Sequence, residues 1–461
     1  MTRKIEPGTS RTRWTYHLAG LAACGLLAVA CTPGSNSSAP SQQPSKSIST
    51  DVAKAGDVTL NVWDQEVRGG QDAEISKLND EFEKKYQNVH IKRNSKSFSN
   101  LKDTLKLALS GKNPPDVVEA NQGYPDMGAF VRAGLLLPLD QYARAYDWKS
   151  RYAKTLLDLN RFSKDGKTFG KGDLYGISQT GEIVGIFYNE KKMHQLGLSK
   201  PKTWDEFKSM LGKIKGKGEL PIMFGNKDRY PAIHTFGVIQ AQTLGKQGVL
   251  DLVFGKDDAK WTTPENRKAA ATLQNWSQKG YVSKGANGLG YDQAAREFEQ
   301  GKGVFLITGT WLAADLADAM GKDVGFMLPP PVHAGDPSVT TGGEGLAWSV
   351  TSKSEHPNVA AAYINFITTA HAADVMTKTG NLPAMTPASA EPEQGTVLAD
   401  IFAAWKKERE SNGLVPYLDY TTPDFYDTLT TQLQQLIGGQ TSPQQCMQAL
   451  QKDYADFQQS K

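Results

Sequence analysis

Polar and aromatic side chains follow several apolar stretches of this sequence, where they could meet a single ligand. They are Asp64, Gln65, Glu66 and Arg68, then Asn121 and Gln122, then Arg229 and Tyr230, then Trp311, and, ahead of the last stretch, Gly343 and Glu344. Amides, carboxylates and a guanidinium suit a ligand rich in hydroxyls, because each hydroxyl both donates and accepts hydrogen bonds. Flat aromatic rings can cover the weakly apolar faces of such a ligand. These residue types therefore indicate a carbohydrate site.

Trp311 is the strongest aromatic candidate in this set. It follows Gly309 at the start of a predicted helix, where a large ring is poorly placed to join a core. Trp63 and Trp348 end or occupy apolar strand patterns, and we expect both to pack in the interior. A site built from such groups discriminates between ligands, because a missing ligand hydroxyl leaves a buried polar group unpaired.

Alternating strands and helices must position these residues. Val58, Leu60 and Val62 alternate as in a strand, and apolar side chains in residues 75–86 follow helical spacing. Further strands are predicted at residues 89–91, 115–118, 185–189, 221–224, 304–307, 324–328 and 346–350. This order predicts an α/β fold with largely parallel sheets covered on both faces. Ligands of such sheets bind beyond the carboxyl ends of the strands, which is where the polar residues lie.

Motifs of common enzymes are missing from the sequence. It contains no G-x-S-x-G, C-x-x-C or H-E-x-x-H pattern, and its histidines lack metal-ligand spacing. Residues 166–171 fall one residue short of a phosphate-binding loop. Asp64 and Glu66 do not define a glycosidase pair, because the separation of such a pair is set in three dimensions. We therefore expect a protein that is not an enzyme and that needs no cofactor and no metal.

The amino terminus is typical of a lipoprotein signal peptide. Four basic residues precede an apolar run over residues 18–30, which is too short to span a membrane. Cys24 and Cys31 are both preceded by small residues, as lipidation requires. Cys24 has the better local match, but Cys31 is followed at once by a polar segment rich in Ser, Pro and Gln, so we favour Cys31. This assigns residues 1–30 to a signal peptide, residues 31–56 to a flexible tether, and the protein to the outer face of the cytoplasmic membrane.

The charge balance does not point to a polyanionic partner. Removing residues 1–30 takes four basic and one acidic residue from totals of 52 and 49, which leaves 48 of each. A chain without net charge gives no reason to expect a nucleic-acid partner.

About 400 residues remain beyond the tether, enough for two domain-sized cores. Cys446 lies in a helix-like stretch and is expected to pack as a small apolar residue. We expect the protein to be a monomer.

The chain resembles the family 1 extracellular solute-binding proteins of ABC importers, whose best-known relative is the maltodextrin-binding protein. The resemblance runs from about residue 58 to the carboxyl end. Its most specific segments are residues 113–117 (Asn-Pro-Pro-Asp-Val), 133–140, 174–177 (Leu-Tyr-Gly-Ile), 187–190, 201–207 (Pro-Lys-Thr-Trp-Asp-Glu-Phe), 298–302, 309–311 (Gly-Thr-Trp) and 380–383 (Gly-Asn-Leu-Pro). Ser178 departs from the pattern, since proline is common after Tyr-Gly-Ile.

This resemblance implies a two-lobed class II periplasmic-binding-protein fold with a hinge and a ligand cleft between the lobes. Lobe 1 would comprise residues 57–164 and 342–385, and lobe 2 residues 165–341 and 386–461. The residues at which such proteins bind sugar match the loops named above, namely Asp64, Gln65, Glu66, Asn121, Arg229, Tyr230, Trp311, Gly343 and Glu344. Tyr417 and Asp419 are further candidates. The implied partners are a carbohydrate, an oligosaccharide by class, and the membrane subunits of an ABC permease.

Other functions remain open at this point. The same fold could bind a peptide, a polyamine or an anion instead of a sugar. A surface polysaccharide hydrolase and an adhesin for polymer surfaces are the remaining alternatives.

Overall fold

The structure is a computed structural model that describes residues 48–460, in which strands and helices alternate. The strands are β1 (Val58–Asp64), β2 (Val89–Ser95), β3 (Val117–Ala120), β4 (Arg161–Phe162), β5 (Asp173–Leu174), β6 (Ile177–Ser178), β7 (Gly181–Asn189), β8 (Ile222–Met223), β9 (Phe305–Gly309), β10 (Val324–Met327), β11 (Thr340–Glu344), β12 (Ala347–Val350) and β13 (Leu414–Val415). Each strand that the sequence predicted is present in the structure.

Helices cover both sheets. They are α1 (Gly69–Lys85), α2 (Phe98–Ser110), α3 (Ala129–Arg132), α4 (Asp140–Ala145), α5 (Trp148–Arg151), α6 (Lys154–Asp158), α7 (Glu190–Gln195), α8 (Trp204–Gly216), α9 (Pro231–Val253), α10 (Pro264–Gln278), α11 (Tyr291–Glu299), α12 (Ala313–Met320), α13 (Pro357–Ile367), α14 (Ala370–Lys378), α15 (Val397–Ser411), α16 (Phe425–Ile437) and α17 (Pro443–Ser460). Within residues 48–460, none of them is long and apolar enough to cross a membrane.

The first sheet has the strand order β2-β1-β3-β12-β6. Alternation along β1 buries Val58, Leu60 and Val62, which pack with residues of α1 and α13. Trp348 on β12 is fully buried, as its apolar surroundings predicted. Trp63 is only half-buried, because it ends β1 on the other face and lies 4.8 Å beneath the ammonium of Lys96.

The second sheet has the strand order β13-β11-β7-β9-β8, and β10 also pairs with β7. All nine residues of β7 are buried, because neighbouring strands and helices cover the strand on both faces. The helices α9, α10, α16 and α17 pack together beside this sheet. Cys446 on α17 is buried there, which confirms its predicted role as a packed apolar residue.

The two larger sheets define two lobes. The chain passes between them at two closely spaced points, and a third time between α14, which packs on α1, and α15, which packs on β10. It leaves the first sheet after Ser178 in β6 and enters the second at Gly181 in β7. It returns between Glu344 in β11 and Ala347 in β12. The first passage comes later in the chain than residue 165, because Ile177 and Ser178 pair with β12 in the first sheet.

The prediction of largely parallel sheets is wrong for the strands next to these passages. Parallel pairing links β1 to β2 and β3, β8 to β9, and β11 to β13. However, β12 runs antiparallel to β3 and β6, and β7 runs antiparallel to β9, β10 and β11. The reversed strands are those that carry the chain from one lobe to the other, so they enter each sheet from the opposite end.

Packed structure begins ahead of residue 57, where the sequence placed the end of the tether. A 3-10 helix spans Val52–Ala55, and Val52 is buried. The Asn88 amide nitrogen donates hydrogen bonds to the carbonyl oxygens of Val52 and Gly56, at 3.0 and 2.7 Å. These bonds fix residues 52–56 against the first lobe. The predicted signal peptide and Cys31 lie outside the residues that the structure describes.

Candidate functional site

A cavity of about 170 Å³ lies where the two lobes meet. One buried water needs roughly 10–15 Å³, so the cavity has room for about a dozen water-sized groups. The residues that line it are Gln65, Val67, Arg68, Gln71, Ser97, Phe98, Ser99, Asn121, Gln122, Glu182, Asp228, Tyr230, Ile233, His234, Tyr291, Asp292, Trp311, Glu344, Leu346, Tyr417, Asp419, Tyr420 and Tyr426. Both lobes therefore contribute to one cavity, which is partly open to solvent.

The loop after β1 supplies Gln65 and Arg68 to the cavity, but not Asp64 or Glu66. Asp64 is fully buried and accepts two hydrogen bonds from the Arg93 guanidinium, at 2.7 and 3.1 Å. The same guanidinium donates to the backbone carbonyl of Glu66 at 2.6 Å. This bidentate pairing holds the Asp64 side chain away from the cavity, and the bond to Glu66 fixes the loop that carries Gln65 and Arg68.

Buried carboxyl groups behind this loop share a low-dielectric pocket. The side chain of Glu119 accepts a 2.7 Å hydrogen bond from the backbone nitrogen of Gln65. Burial, reinforced by the charge of Asp64, raises the pKa of Glu66 to about 7. Burial and the charges of Glu66 and Asp64 raise the pKa of Glu119 well above its ordinary value. These groups hold protons at a pH where exposed carboxyls have lost them, so the pocket supports the site and does not face the ligand.

Two amide side chains after β3 reach the cavity from the first lobe. The Asn121 nitrogen donates to Asp126 at 3.0 Å. The Gln122 nitrogen donates to the carbonyl of Gly345 at 2.7 Å, and its oxygen accepts from the Tyr420 hydroxyl at 3.1 Å. Gln122 thus links β3, the returning crossing segment and the carboxyl-terminal part of the chain.

Aromatic rings form the wall on the second lobe. The Trp311 indole nitrogen donates to the Tyr291 hydroxyl at 2.6 Å, and that hydroxyl also lies 2.7 Å from the Thr308 hydroxyl. The centres of the His234 and Trp311 rings are 5.1 Å apart, and those of the Tyr230 and Tyr291 rings are 5.2 Å apart. Burial lowers the pKa of His234 to about 3, so the imidazole is neutral at physiological pH. The wall is therefore a continuous, uncharged aromatic surface with its rings held in place.

Three buried carboxyl groups face the cavity from the second lobe and the segment after β13. Burial raises the pKa of Glu182 to about 7, although its carboxylate accepts a 2.9 Å hydrogen bond from the Tyr417 hydroxyl. Burial raises the pKa of Glu344 well above its ordinary value, against the effect of a hydrogen bond from Asn160. Burial also raises the pKa of Asp419, to about 6. Such groups can accept hydrogen bonds and, when protonated, donate them.

Contacts between the lobes close over the cavity. Arg68 on the first lobe forms a 2.8 Å ion pair with Asp292 on the second, and its guanidinium lies 5.3 Å from the centre of the Tyr291 ring. The Phe98 and Tyr230 rings meet edge to face at 5.4 Å. The structure thus shows the two lobes in contact across the site.

The structure brings nine of the residues named from the sequence into one cavity. They are Gln65, Arg68, Asn121, Gln122, Tyr230, Trp311, Glu344, Tyr417 and Asp419. Arg229 points elsewhere, because its guanidinium donates to the Thr431 hydroxyl at 2.7 Å and lies 3.6 Å from Asp427. Gly343 lies inside β11 and does not line the cavity.

Other lining residues escaped the sequence reading. Glu182, His234, Tyr291 and Asp292 were not predicted, although all four line the cavity. Glu182 and His234 lie inside buried elements, β7 and α9. A carboxylate and a histidine are costly to bury within otherwise apolar segments. Their presence in such segments was the feature of the sequence that could have marked them as site residues. Among residues 48–460 no group of three or more His, Cys, Asp or Glu side chains could hold a metal ion.

Comparison with known proteins identifies the family. The model of the bacterial extracellular solute-binding protein family matches residues 69–374. The chain belongs to this family. Its solute-binding relatives include the multiple sugar-binding protein of Streptococcus mutans, 24% identical over 324 residues that cover 69% of this chain and 73% of the relative. The melibiose/raffinose/stachyose-binding protein MelE of Bacillus subtilis is 23% identical over 422 residues, or 88% and 91% of the two chains.

Solved structures agree with the fold of this solute-binding protein. A chitin oligosaccharide binding protein superimposes with a TM-score of 0.75 at 23% identity, covering 87% of this chain and 98% of the other. The binding protein RafE in complex with raffinose gives a TM-score of 0.70 at 21% identity, with coverage of 87% and 99%. The resemblance and the two-lobed class II periplasmic-binding-protein fold predicted from the sequence are therefore confirmed.

Proposed function

We propose that this protein is the substrate-binding component of an ABC importer and captures a carbohydrate, an oligosaccharide by class, between its two lobes. The observation that carries the proposal is one cavity between the lobes with an aromatic wall of Trp311, Tyr230 and Tyr291 on the second lobe. The amides of Gln65 and Asn121 face this cavity from the first lobe. The proposal is supported by two relatives of the chain that are named for the sugars they bind.

The physical chemistry of the cavity suits a sugar. A sugar ring has weakly apolar faces that pack on flat aromatic rings and equatorial hydroxyls that need both donors and acceptors. The buried carboxyl groups of Glu182 and Asp419 have raised pKa values and can serve in either role near neutral pH. Room for about a dozen water-sized groups matches one sugar ring. A longer ligand would extend from the cavity along the junction of the lobes.

The proposed mechanism is closure of two lobes on the ligand. Ligand contacts on both sides are made together only when the lobes meet, so binding favours the closed state. We propose lobes close to those expected from the sequence, residues 57–164 with 342–385 and residues 165–341 with 386 to the carboxyl end. Sheet membership supports moving residues 165–178 to the first lobe and residues 342–344 to the second. The closed form would then be recognised by the membrane subunits of the permease.

A binding screen tests the ligand class. Purified protein is mixed with melibiose, raffinose, cellobiose and N,N′-diacetylchitobiose, and with spermidine and a tripeptide as non-sugar controls. We expect a rise in unfolding temperature and a calorimetric signal with at least one saccharide, and an unchanged saccharide by chromatography after incubation. Stabilisation by spermidine or the tripeptide alone would contradict the sugar assignment, and release of smaller sugars would point to a hydrolase.

We further propose that the protein is anchored to the outer face of the cytoplasmic membrane through a lipid on Cys31. The full chain is expressed in bacteria fed with an alkyne-tagged fatty acid, and the membrane fraction is tested for the label. Cys31→Ser should lose the label, and the matched Cys24→Ser variant should keep it. The opposite result would move the lipid to Cys24. Uptake of the bound saccharide should also be lost when the gene is deleted and restored by the unaltered chain.

A further inference from the structure

Acidic side chains dominate the charged groups around the cavity. Of the charged residues that line it in the described part of the chain, Arg68 is cationic, and the others are Glu182, Asp228, Asp292, Glu344 and Asp419. The guanidinium of Arg68 is already paired with Asp292 at 2.8 Å. The neutral imidazole of His234 adds no positive charge. A ligand carboxylate or phosphate would therefore enter without a free cation to meet it.

Nearby cations outside the cavity wall are also committed to partners. The ammonium of Lys102 lies 2.6 Å from Asp126 and 4.3 Å from the centre of the Tyr426 ring. The guanidinium of Arg93 is held by Asp64 and Asp72, at 2.7 and 2.6 Å. Neither group is placed to neutralise an acidic ligand without breaking a buried or half-buried ion pair.

Glu182, Glu344 and Asp419 are all deeply buried among the lining carboxyl groups, and Glu182 and Glu344 are adjacent in one sheet. They belong to the neighbouring strands β7 and β11, with Gly343 paired to Glu182 and Glu344 paired to Gly181. Their side chains are 6% and 2% exposed, so solvent screens them little. The Oε2 atom of Glu344 is buried without a hydrogen-bond partner among the described residues. An unpaired acceptor at this depth favours a ligand that brings a donor.

We infer that this cleft takes uncharged and amine-bearing saccharides and discriminates against acidic ones, with Glu182 and Glu344 as the residues that set the discrimination. The inference rests on the proposed function and specifies its substrate class. A hydroxyl or ammonium donor on the ligand pairs with these carboxyl groups. An acidic group can bind there only while these carboxyl groups hold their protons, because an ionised carboxyl beside it would place like charges in a low-dielectric space. Unfavourable charge is a common way to exclude a wrong ligand.

The test compares each neutral probe with its own charged derivatives. Melibiose, raffinose, cellobiose and N,N′-diacetylchitobiose are each measured by calorimetry together with forms that carry a carboxyl or an amino group at one terminal C6. For the neutral probe that binds, we expect the carboxyl form to bind at least a hundredfold more weakly and the amino form to bind as well as or better than the parent. Carboxyl and neutral forms within threefold of each other would overturn the inference while leaving the proposed function intact. No binding by any probe or derivative would count against the proposed function itself, and this inference would fall with it.

Variants locate the discrimination. Glu182→Gln and Glu344→Gln preserve shape and remove a carboxyl group that can ionise, so each should shrink the neutral-to-acidic affinity ratio by about tenfold. Glu408→Gln is the matched control, because Glu408 is also buried with its pKa raised to about 7 by burial but does not line the cavity. That ratio should be unchanged in the control. Unfolding temperatures identify any variant that fails to fold. In that case the ratio of neutral to acidic affinity measured for the wild type still tests the inference. A ratio that is unaltered in both cavity variants would overturn the role of these residues.

Discussion

Replacement of Trp311 by alanine should remove the main stacking surface for a sugar while leaving the fold intact. The residue is half-buried in a short 3-10 helix directly after β9. Its ring is held by the hydrogen bond to Tyr291 and by the neighbouring His234 ring. Because the ring is already in position before a ligand arrives, little conformational entropy is lost on stacking.

The magnitude follows from the area that a sugar can cover. A tryptophan buries roughly 150–250 Å² when fully enclosed, and Trp311 is already partly buried, so a sugar can cover only about a third of that area. At about 25 cal/mol per Å², the lost contact is about 1–2 kcal/mol. This corresponds to a dissociation constant that rises about 8- to 30-fold. Trp311→Phe keeps a smaller ring and loses the bond to Tyr291, so it should weaken binding less, by about fivefold.

Calorimetry with the saccharide that binds best in the screen measures this effect. Trp63→Ala is the matched control, because Trp63 is also a half-buried tryptophan but does not line the cavity. The control should change affinity by less than threefold, and both variants should keep a cooperative unfolding transition. Binding by Trp311→Ala within twofold of the wild type would refute the stacking role and with it the strongest part of the sugar argument.

Three further predictions concern the cavity and its support. Asp292→Asn should weaken saccharide binding by no more than about fivefold in calorimetry, because its half-exposed ion pair with Arg68 contributes about 0–1 kcal/mol; a larger loss would mean that this pair dominates closure. Since burial raises the pKa of Glu66 from 4.5 to about 7, the folded state binds more protons than the unfolded chain in that window. Calorimetric unfolding temperatures should therefore be lower at pH 8 than at pH 5.5, and Glu66→Gln should reduce that difference. Gly123→Ala should lower both the unfolding temperature and the saccharide affinity, because Gly123 has φ +78° and a Cβ would lie 2.5 Å from the Cα of Tyr420; wild-type values would show that the backbone adjusts freely.

The existence of the elements was readable from the sequence, whereas their pairing was not. Alternation of Val58, Leu60 and Val62 predicts a half-buried strand whatever its neighbours are. The strands with which β12 and β7 pair depend on where the chain passes between the lobes. No local sequence pattern indicates where that passage occurs or in which direction the strand then runs. The short strand Ile177–Ser178 illustrates the point, because two residues carry no periodicity and their place in the first sheet comes from pairing with β12.

The loops of the site were readable, but the direction of each side chain was not. Asp64, Gln65 and Glu66 are consecutive, and only Gln65 lines the cavity. The deciding residue is Arg93, whose position beside Asp64 follows from the parallel register of β1 and β2. Tyr291 was missed for a related reason, since it begins a helix after a long loop and enters the site through its hydroxyl bond to Trp311. Sequence position fixes which loop approaches a ligand, and long-range pairing decides which side chain faces it.

The two lobes contribute different chemistry, and this division explains why closure and specificity are connected. The first lobe offers Gln65 on a loop that is fixed from behind by Arg93 and buried carboxyl groups. The second lobe offers aromatic rings together with Glu182 and Glu344. Stacking on the rings alone tolerates many sugars, because every sugar ring has an apolar face. Polar pairing across the closed cavity is stricter, since a ligand that leaves a buried carboxyl or amide unpaired loses the free energy that holds the lobes together. Discrimination therefore arises at closure and depends on both lobes, although the affinity for a ring face resides on one.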